Sequence, residues 1–297
     1  MRTKILVGVD FGGTKILTGA MTEKGEILGD PVRIATDKDE EPNSVVRRIA
    51  GSVEDVLRGI GKTAVDVEGI GLGVTGPLDI KRGTILECPQ LPRLHFFPLR
   101  KAIEDHFAVP IFMNNDANCL IYGETLFGSG IGKNTVVGFT LGTGIGCAII
   151  IDRKIYAGFT ESAGEIWPSP YLGGTIEDLV SGAGVSRIYK ELSGQDMTSR
   201  DVAALAEQGD PIALTTWQQF GRHLSVAIAW TINVIDPELV ILGGSISNAF
   251  KFFAPSMESA LRKFICPMPA ERTNVVCGRL GANAGFIGAA ALAIPDA

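Results

Sequence analysis

Two glycine-rich turns between β-type runs are the parts of this sequence best suited to chemistry. The first, residues 8–15, reads GVDFGGTK, and the second, residues 140–146, reads TLGTGIG. Glycines allow positive φ angles and bring backbone N–H groups close to an anion, and threonine hydroxyls add donors. One such turn alone is commonly a structural β-hairpin turn. Two of them in matching strand contexts favour a pair of phosphate-binding hairpins.

Asp10 and Asp116 are the carboxylates best placed to act beside such hairpins. Asp10 stands where the first turn begins, and its hard oxygen ligands suit Mg²⁺. Asp116 follows a predicted strand and opens a predicted helix, where α/β sheets place ligands and the helix dipole favours an ionised carboxylate. The structural alternatives are an Asx turn at Asp10 and a helix N-cap at Asp116.

Alternating strand and helix patterns predict an α/β protein that positions these residues. A chain of 297 residues exceeds the usual size of one hydrophobic core. Three short β runs over residues 4–34 predict an antiparallel meander at the start of the first half, and the second half opens with a β-hairpin. We therefore expect two related α/β lobes with a cleft between them. The predicted strands are residues 4–9, 16–21, 67–74, 110–113, 135–139, 147–151, 239–242 and 275–277, and the predicted helices begin at Pro42 or span 99–107, 117–127, 211–235 and 282–294.

Composition and charge exclude several functional classes. The formal charge of −6 gives no electrostatic footprint for a phosphate backbone, so we expect no nucleic-acid partner. The longest apolar runs have the length of strands, and the sequence enters its first strand without a signal peptide, so we expect no membrane partner and a cytoplasmic location. The five cysteines are widely spaced, which predicts neither a disulfide framework nor a C-x-x-C metal site.

Six segments, in order and spacing, resemble the ROK family of bacterial sugar kinases within the actin/hexokinase/Hsp70 ATPase superfamily. They are residues 10–15, 75–79, 114–118, 141–146, 163–166 and 242–246. The second glycine hairpin is similar to the sugar-kinase version rather than to the acidic version of water-activating ATPases. The resemblance implies a two-lobed, actin-like (ribonuclease H-like) α/β fold with an interlobe cleft. Residues 1–115 would form a small lobe, rejoined by a C-terminal helix at about 282–297, and residues 116–281 a large lobe.

The resemblance implies ATP-dependent phosphorylation of the primary hydroxyl of a hexose or N-acetylhexosamine, as in a glucokinase. Asp116 would be the catalytic base, Asp10 would bind Mg²⁺ through water, and the protein would form a homodimer. The residues implied for the nucleotide and its phosphates are Asp10, Gly12, Gly13, Thr14, Lys15, Gly142, Thr143, Gly144, Gly243 and Gly244. A solvated strand lysine is the alternative at Lys15, and a turn that precedes a helix is the alternative at residues 243–244.

For the sugar, the resemblance implies Gly76, Asn115, Asp116, Glu165 and Glu177. Amide and carboxylate groups recognise neighbouring sugar hydroxyls by paired hydrogen bonds. The alternative for Glu177 is a solvated helix glutamate.

Residues 167–175, which read WPSPYLGGT, depart from the family pattern. Most relatives carry a histidine and then a cysteine-rich zinc loop here, but this segment contains neither residue type. Structural zinc needs about four nitrogen or sulfur ligands, so we expect no zinc site and a loop anchored by Trp167, Tyr171 and Leu172 instead. The missing histidine normally touches the sugar, which leaves the choice among glucose, mannose, fructose, allose, N-acetylglucosamine and N-acetylmannosamine open.

Two other functional classes remain to be weighed. A ROK transcriptional repressor would carry a helix-turn-helix before the first phosphate strand, and that strand begins near Lys4, so we expect an enzyme instead. A catalytically idle sugar-binding protein is the second alternative, because the histidine and the zinc motif are missing. Asp10, Asp116 and both glycine hairpins favour the active kinase.

Overall fold

The computed structural model describes residues 4–37, 39–88 and 91–295. The chain divides into two compact units. The first unit is Met1–Gly132, Arg153–Glu161 and Leu280–Ala297, and the second unit is Lys133–Asp152 and Ser162–Arg279. The lobe boundary expected at 115/116 differs from this division, which keeps the following helix, Asp116–Phe127, in the first unit because that helix packs against the C-terminal helix.

The first unit is built on a five-stranded sheet in the order β3-β2-β1-β4-β7. Strands β1, β2 and β3 form the expected antiparallel meander, and β4 and β7 continue the sheet in parallel with β1. The strands of the whole first unit are β1 (Ile5–Phe11), β2 (Lys15–Thr22), β3 (Ile27–Ala35), β4 (Val67–Val74), β5 (Leu78–Asp79), β6 (Thr84–Ile85), β7 (Ile111–Asn115) and β10 (Lys154–Ile155). The helices of this unit are α1 (Pro42–Gly59), α2 (Leu99–Glu104), α3 (Asp116–Phe127) and α9 (Ala284–Ala291).

The second unit has a mixed sheet in which the strands follow the order β9-β8-β13-β14. Its core lies between this sheet and helices α6 and α7, where the rings of Trp217, Phe220 and Phe253 contact one another. Its strands are β8 (Val136–Leu141), β9 (Ile145–Ile151), β11 (Pro170–Tyr171), β12 (Gly174–Thr175), β13 (Leu239–Gly243) and β14 (Asn274–Cys277), and its helices are α4 (Gly182–Ser193), α5 (Ser199–Glu207), α6 (Pro211–Ile235), α7 (Phe250–Phe264) and α8 (Pro267–Arg272).

The α/β expectation is confirmed in both units. Among the residues described, no helix combines the length and the apolar character that a membrane crossing requires.

Helix α9 lies unusually close to the first sheet because glycines face it. A Cβ at Gly8 would overlap the Phe286 carbonyl oxygen, and a Cβ at Gly71 would overlap that of Ala289. The same helix leaves room for the Asp10 carboxylate, since a Cβ at Gly285 would lie 2.6 Å from Cγ of Asp10. The C-terminal helix therefore helps to fix the position of Asp10.

This packing predicts opposite effects for two glycine-to-alanine substitutions. Gly71→Ala forces a methyl group into the backbone of α9 and should destabilise the protein by about 1 to 3 kcal/mol or more. Gly51→Ala, in helix α1, meets nothing within 4 Å and should stabilise it by about 0.5 to 1 kcal/mol. Thermal denaturation of both variants beside the unsubstituted protein measures the difference. Equal melting temperatures for Gly71→Ala and the unsubstituted protein would contradict the described packing.

Candidate functional site

The first glycine turn joins β1 to β2 and is held by a threonine from outside it. Within the turn, the Gly12 N–H donates to the Lys15 carbonyl at 3.0 Å. Thr36 ties the turn down, because its hydroxyl donates to the Gly12 carbonyl at 2.8 Å and its N–H donates to the Thr14 carbonyl at 3.1 Å. Lys15 Nζ lies 3.5 Å from Asp10 Oδ2, so this lysine pairs with the candidate metal-binding carboxylate.

Asp10 is a mostly buried carboxylate at the end of β1. Burial raises its pKa, and the neighbouring Lys15 charge opposes that rise without cancelling it. Its ionised form is therefore under-compensated, which is the state of a carboxylate that gains from an added cation. Mg²⁺ prefers one or two carboxylates together with water and phosphate oxygens rather than a cage of protein ligands. Asp10 beside the phosphate turn fits that preference.

Asn115 and Asp116 stand at the junction of β7 and α3. Asn115 is the N-cap of α3, since its side-chain oxygen accepts hydrogen bonds from the N–H groups of Ala117 at 2.9 Å and Asn118 at 3.4 Å. Asp116 is the first helical residue, and its Oδ1 accepts from the Ala117 N–H at 2.8 Å. The capping role that was the alternative for Asp116 thus belongs to Asn115. The side-chain oxygen of Asn115 is used for capping, and its amide nitrogen lies close to Gly76, another predicted sugar-binding residue. A Cβ on Gly76 would lie 3.0 Å from this nitrogen.

Asn114 is a supporting residue to which the sequence analysis gave no role. Its Oδ1 accepts hydrogen bonds from the Asn115 N–H at 2.8 Å and from the buried Asn118 Nδ2 at 2.9 Å. These bonds fix the turn that carries Asp116. The signal was present in the sequence, because Asn114 and Asn118 are four residues apart across a helix start.

The two candidate carboxylates of the first unit lie close enough to act on the same thiol. Burial raises the pKa of the fully buried Cys119 well above its usual range, and the charges of Asp116 and Asp10 raise it further. The structure therefore brings the predicted base and the predicted magnesium ligand into one region, beside the first glycine turn.

The second glycine turn joins β8 to β9 in the second unit. The Gly142 N–H donates to the Gly144 carbonyl at 3.0 Å, and the Gly182 N–H at the start of α4 donates to the Gly142 carbonyl at 2.8 Å. The expectation of positive φ angles is wrong for Gly12, Gly142 and Gly144. At Gly144 the requirement is steric, because a Cβ there would overlap Oε2 of Glu177.

Residues 243–244 end β13 beside this second turn. Gly244 has a φ of 84°, and a Cβ on it would overlap the Leu141 carbonyl oxygen, so both the conformation and the close approach require glycine. The predicted turn is therefore present, and it leads into the short 3₁₀ helix Ser245–Ala249.

Glu165 and Glu177 are brought together in the second unit. Glu177 Oε2 accepts a hydrogen bond from the Ile145 N–H at 3.1 Å, which holds this glutamate against the second glycine turn. Glu165 Oε2 accepts one from Trp167 Nε1 at 2.8 Å. Burial raises the pKa of Glu165, the Trp167 hydrogen bond lowers it, and the Glu177 charge raises it again. Glu177 is thus not a merely solvated helix residue.

A cavity of about 580 Å³ opens beside the second glycine turn. Its lining combines Gly142 and Thr143 with small and polar residues from the start of α4, the segment before and within α5, and Ser245. Of these lining residues, only Gly142 and Thr143 were expected from the sequence. Its lining residues are Gly142, Thr143, Gly182, Ala183, Ser186, Asp196, Met197, Thr198, Ser199, Asp201 and Ser245.

Comparison with known proteins decides the family. The model of the ROK family matches residues 6–295. The chain belongs to the ROK family.

Two curated relatives and one solved structure place it more closely within that family. The chain is 29% identical to a glucokinase of Halalkalibacterium halodurans, with 97% of this chain and 94% of the relative covered. It is 28% identical to an N-acetyl-D-glucosamine kinase of Photobacterium profundum, with 97% and 98% covered. The crystal structure of a ROK family glucokinase from Streptomyces griseus in complex with glucose and AMPPNP is 28% identical, covers 97% of this chain and 98% of its own, and has a TM-score of 0.83. The actin-like two-domain fold of the ROK family is therefore confirmed for this chain.

Residues 167–175, which were expected to depart from the family pattern, contain the β11–β12 hairpin. Tyr171 anchors it, because its hydroxyl is hydrogen-bonded to His223 Nδ1 at 3.0 Å and its ring meets that of Trp230 edge-on at 6.1 Å. Burial and the Arg222 charge lower the pKa of His223. The expectation for Leu172 is wrong, since this residue occupies the hairpin turn with a φ of 47° and is 73% exposed.

The other end of the hairpin is fastened by Asp178. Its Oδ2 accepts hydrogen bonds from the Thr175 N–H at 2.7 Å and the Thr175 hydroxyl at 3.0 Å. Trp167, the third expected anchor, is 44% exposed and bonds to Glu165. Tyr171 and Asp178 thus fasten the two ends of the hairpin.

We expect this ROK protein to need Mg²⁺ and no zinc. In the described ranges, no three His, Cys, Asp or Glu side chains are grouped so that they could hold a metal ion. Exhaustive zinc chelation in excess Mg²⁺ should therefore leave catalytic activity unchanged, and elemental analysis of tag-free protein should find far less than one zinc per chain. One zinc per chain, or inactivation that only zinc reverses, would refute this expectation.

Proposed function

We propose that this ROK protein is an ATP-dependent sugar kinase that phosphorylates the primary hydroxyl of a hexose or N-acetylhexosamine. The observation that carries the proposal is the position of Asp116. It is the first residue of α3, Asn115 takes over the capping role, and its charge acts on the same buried thiol as that of Asp10. A carboxylate at a helix start beside a phosphate turn, where Asn115 is the helix N-cap, is suited to serve as a general base.

In the proposed reaction, Asp116 accepts the proton of the sugar hydroxyl as the hydroxyl oxygen attacks the γ-phosphorus of ATP. The bond from the γ-phosphorus to the β–γ bridging oxygen breaks, and ADP leaves with that oxygen. Phosphoryl transfer depends mainly on holding the acceptor in line and on neutralising charge on the phosphate oxygens. Asn114 serves this geometry, because its hydrogen bonds to the Asn115 N–H and to Asn118 fix the turn that carries the base. Bound Mg²⁺ would neutralise phosphate charge, with Asp10 holding it through water.

The nucleotide is proposed to bind at the glycine turns, with the cavity beside the second turn as part of its site. Gly12, Gly13, Thr14 and Lys15 and residues 142–144 would contact its phosphates. Gly243 and Gly244 would leave space for the nucleoside. The volume of the cavity, about 580 Å³, falls within the range of pockets that hold ligands of this size.

The sugar is proposed to bind to the backbone of Gly76, to the side chains of Asn115 and Asp116, and to the carboxylates of Glu165 and Glu177. The names of the relatives, glucokinase and N-acetyl-D-glucosamine kinase, support a hexose or an N-acetylhexosamine. The family resemblance also supports a cytoplasmic homodimer, which light scattering and cell fractionation test.

The proposal is tested by measuring sugar-dependent release of ADP from ATP. Glucose, mannose, fructose, allose, N-acetylglucosamine and N-acetylmannosamine are compared at the same ATP and Mg²⁺ concentrations, and kcat/KM ranks them. We expect at least one of these sugars to give saturable turnover. Sugar binding without turnover of any of them would favour the idle sugar-binding alternative.

A further inference from the structure

Trp167 is a large, partly exposed aromatic residue beside Glu165, which is proposed to bind the sugar. It is 44% exposed, whereas Trp217 in the core of the same unit is 1% exposed. Its Nε1 donates to Glu165 Oε2 at 2.8 Å. The indole ring therefore lies directly beside the Glu165 carboxylate and presents much of its surface to solvent.

The backbone around Trp167 is held in a fixed course although it belongs to no helix or strand. The Ile166 N–H donates to the Gly164 carbonyl at 2.7 Å, and the Ser169 N–H donates to the Ile166 carbonyl at 2.9 Å. Pro168, which follows Trp167, restricts the backbone further. The indole is thus fixed by its own backbone and by its bond to Glu165, and its exposure does not come from a freely moving segment.

Exposing a fixed indole face to water forgoes the gain from burying it, so a ligand that covers the face would recover that gain. Sugar sites use this chemistry, because a pyranose ring whose hydroxyls are equatorial has apolar C–H faces that pack on an aromatic ring. An axial hydroxyl interrupts such a face. A carboxylate beside the ring supplies hydrogen bonds to the hydroxyls at the sugar's edge.

We infer that Trp167 determines sugar specificity in this protein, by holding the Glu165 carboxylate for the sugar hydroxyls with its N–H and by packing its exposed face on the ring of a sugar with equatorial hydroxyls. The inference rests on the proposed sugar kinase activity. It assigns two separable tasks to one side chain, the N–H to affinity and the ring face to discrimination.

The charges around Glu165 give the first task a measurable consequence. The groups that act on it are Trp167, Glu177 and the buried thiol of Cys147, whose pKa is raised to about 12 and which is therefore neutral. Trp167 lowers the pKa of Glu165, while burial and Glu177 raise it. Loss of the indole N–H should therefore raise the pKa of Glu165. On acidification, the variant should then lose sugar affinity at a higher pH than the unsubstituted protein does.

The experiment separates the two tasks with Trp167→Phe, which keeps a ring and loses the N–H, and Trp167→Ala, which loses both. Trp230→Phe, at a half-buried tryptophan on α6, is the matched control. We expect Trp167→Phe to raise the sugar KM about five- to twentyfold, with kcat and the ATP KM unchanged. Its KM should also rise at a higher pH on acidification than that of the unsubstituted protein. The unsubstituted protein should prefer glucose, whose hydroxyls are equatorial, to mannose and allose, and Trp167→Ala should reduce that preference.

Tryptophan fluorescence gives a readout that is independent of turnover. Sugar binding should change the emission of the unsubstituted protein and of Trp230→Phe, and Trp167→Phe should lose most of that change. If the unsubstituted protein is active while the Trp167 variants keep its KM values, pH profile and sugar preference, the inference is overturned and the kinase proposal stands. If the unsubstituted protein phosphorylates none of the sugars, both are overturned.

Discussion

Replacement of Asp116 by asparagine is expected to lower kcat by about 10² to 10⁴-fold, the usual contribution of general-base catalysis, and to leave sugar affinity largely unchanged. The amide keeps the size of the carboxylate and an oxygen that can accept the Ala117 N–H bond, which is 2.8 Å long in the structure. It cannot accept the proton of the attacking hydroxyl. Because Asn115 caps the helix, the substitution should also leave α3 and the melting temperature intact.

The measurement is steady-state kinetics together with sugar titration by calorimetry. Asp105→Asn is the matched control, since Asp105 is the exposed C-cap residue directly after α2 and pairs with Lys101 at 2.6 Å. Both variants replace an aspartate of the first unit by its amide, and only Asp116→Asn should lose turnover. An Asp116→Asn variant with the kcat of the unsubstituted protein would show that another group serves as the base.

Replacement of Asp10 by asparagine is expected to lower kcat by about 10²-fold or more while making the fold no less stable. The loss of activity follows because the amide binds Mg²⁺ and its water shell far more weakly than a carboxylate. The stability follows from burial, which raises the pKa of Asp10 in the folded protein. An ionised group with a raised folded pKa destabilises the native state at neutral pH, and the neutral amide removes that cost.

The sign of this effect can be checked with pH. As the pH falls through the titration range of Asp10, its carboxyl takes up a proton and the stability advantage of Asp10→Asn over the unsubstituted protein should shrink. Thermal denaturation without nucleotide and Mg²⁺, at neutral and acidic pH, measures it. Asp55→Asn, an exposed aspartate on α1 that pairs with Arg58, is the control and should change neither activity nor stability. A clear fall in melting temperature for Asp10→Asn at neutral pH would contradict the account of its burial.

The sequence predicted the order of strands and helices because the apolar periodicity is strong where elements are buried. Helix α6 spans the predicted residues Pro211–Ile235, and the meander of β1, β2 and β3 is present. The positions of helix ends were predicted less accurately. Helix α2 ends at Glu104 instead of residue 107, and α9 spans Ala284–Ala291 instead of 282–294. Periodicity shows which face is buried, and it does not show where the last backbone hydrogen bond forms.

Residue roles at the site could be predicted only where a motif carried them. The grouping of Glu165 with Glu177 followed from the resemblance. The steric requirement for glycine at position 144 depends on the Glu177 side chain, 33 residues away, so the sequence around Gly144 did not predict it. The residues between 196 and 201 that line the cavity could not be predicted, because they come from a loop and a helix start that carry no motif. The Tyr171–His223 contact joins residues 52 apart and depends on how the hairpin packs on α6.

The central claim is that this protein transfers the γ-phosphoryl group of ATP to a sugar hydroxyl. The most direct test is to incubate the purified protein with Mg²⁺, the preferred sugar and ATP labelled at the γ-phosphate, and to identify the labelled product. We predict that the label appears in a sugar phosphate ester at the primary hydroxyl, with one molecule formed for each ADP released. Label released only as inorganic phosphate, or ATP left intact with every sugar, would contradict the account.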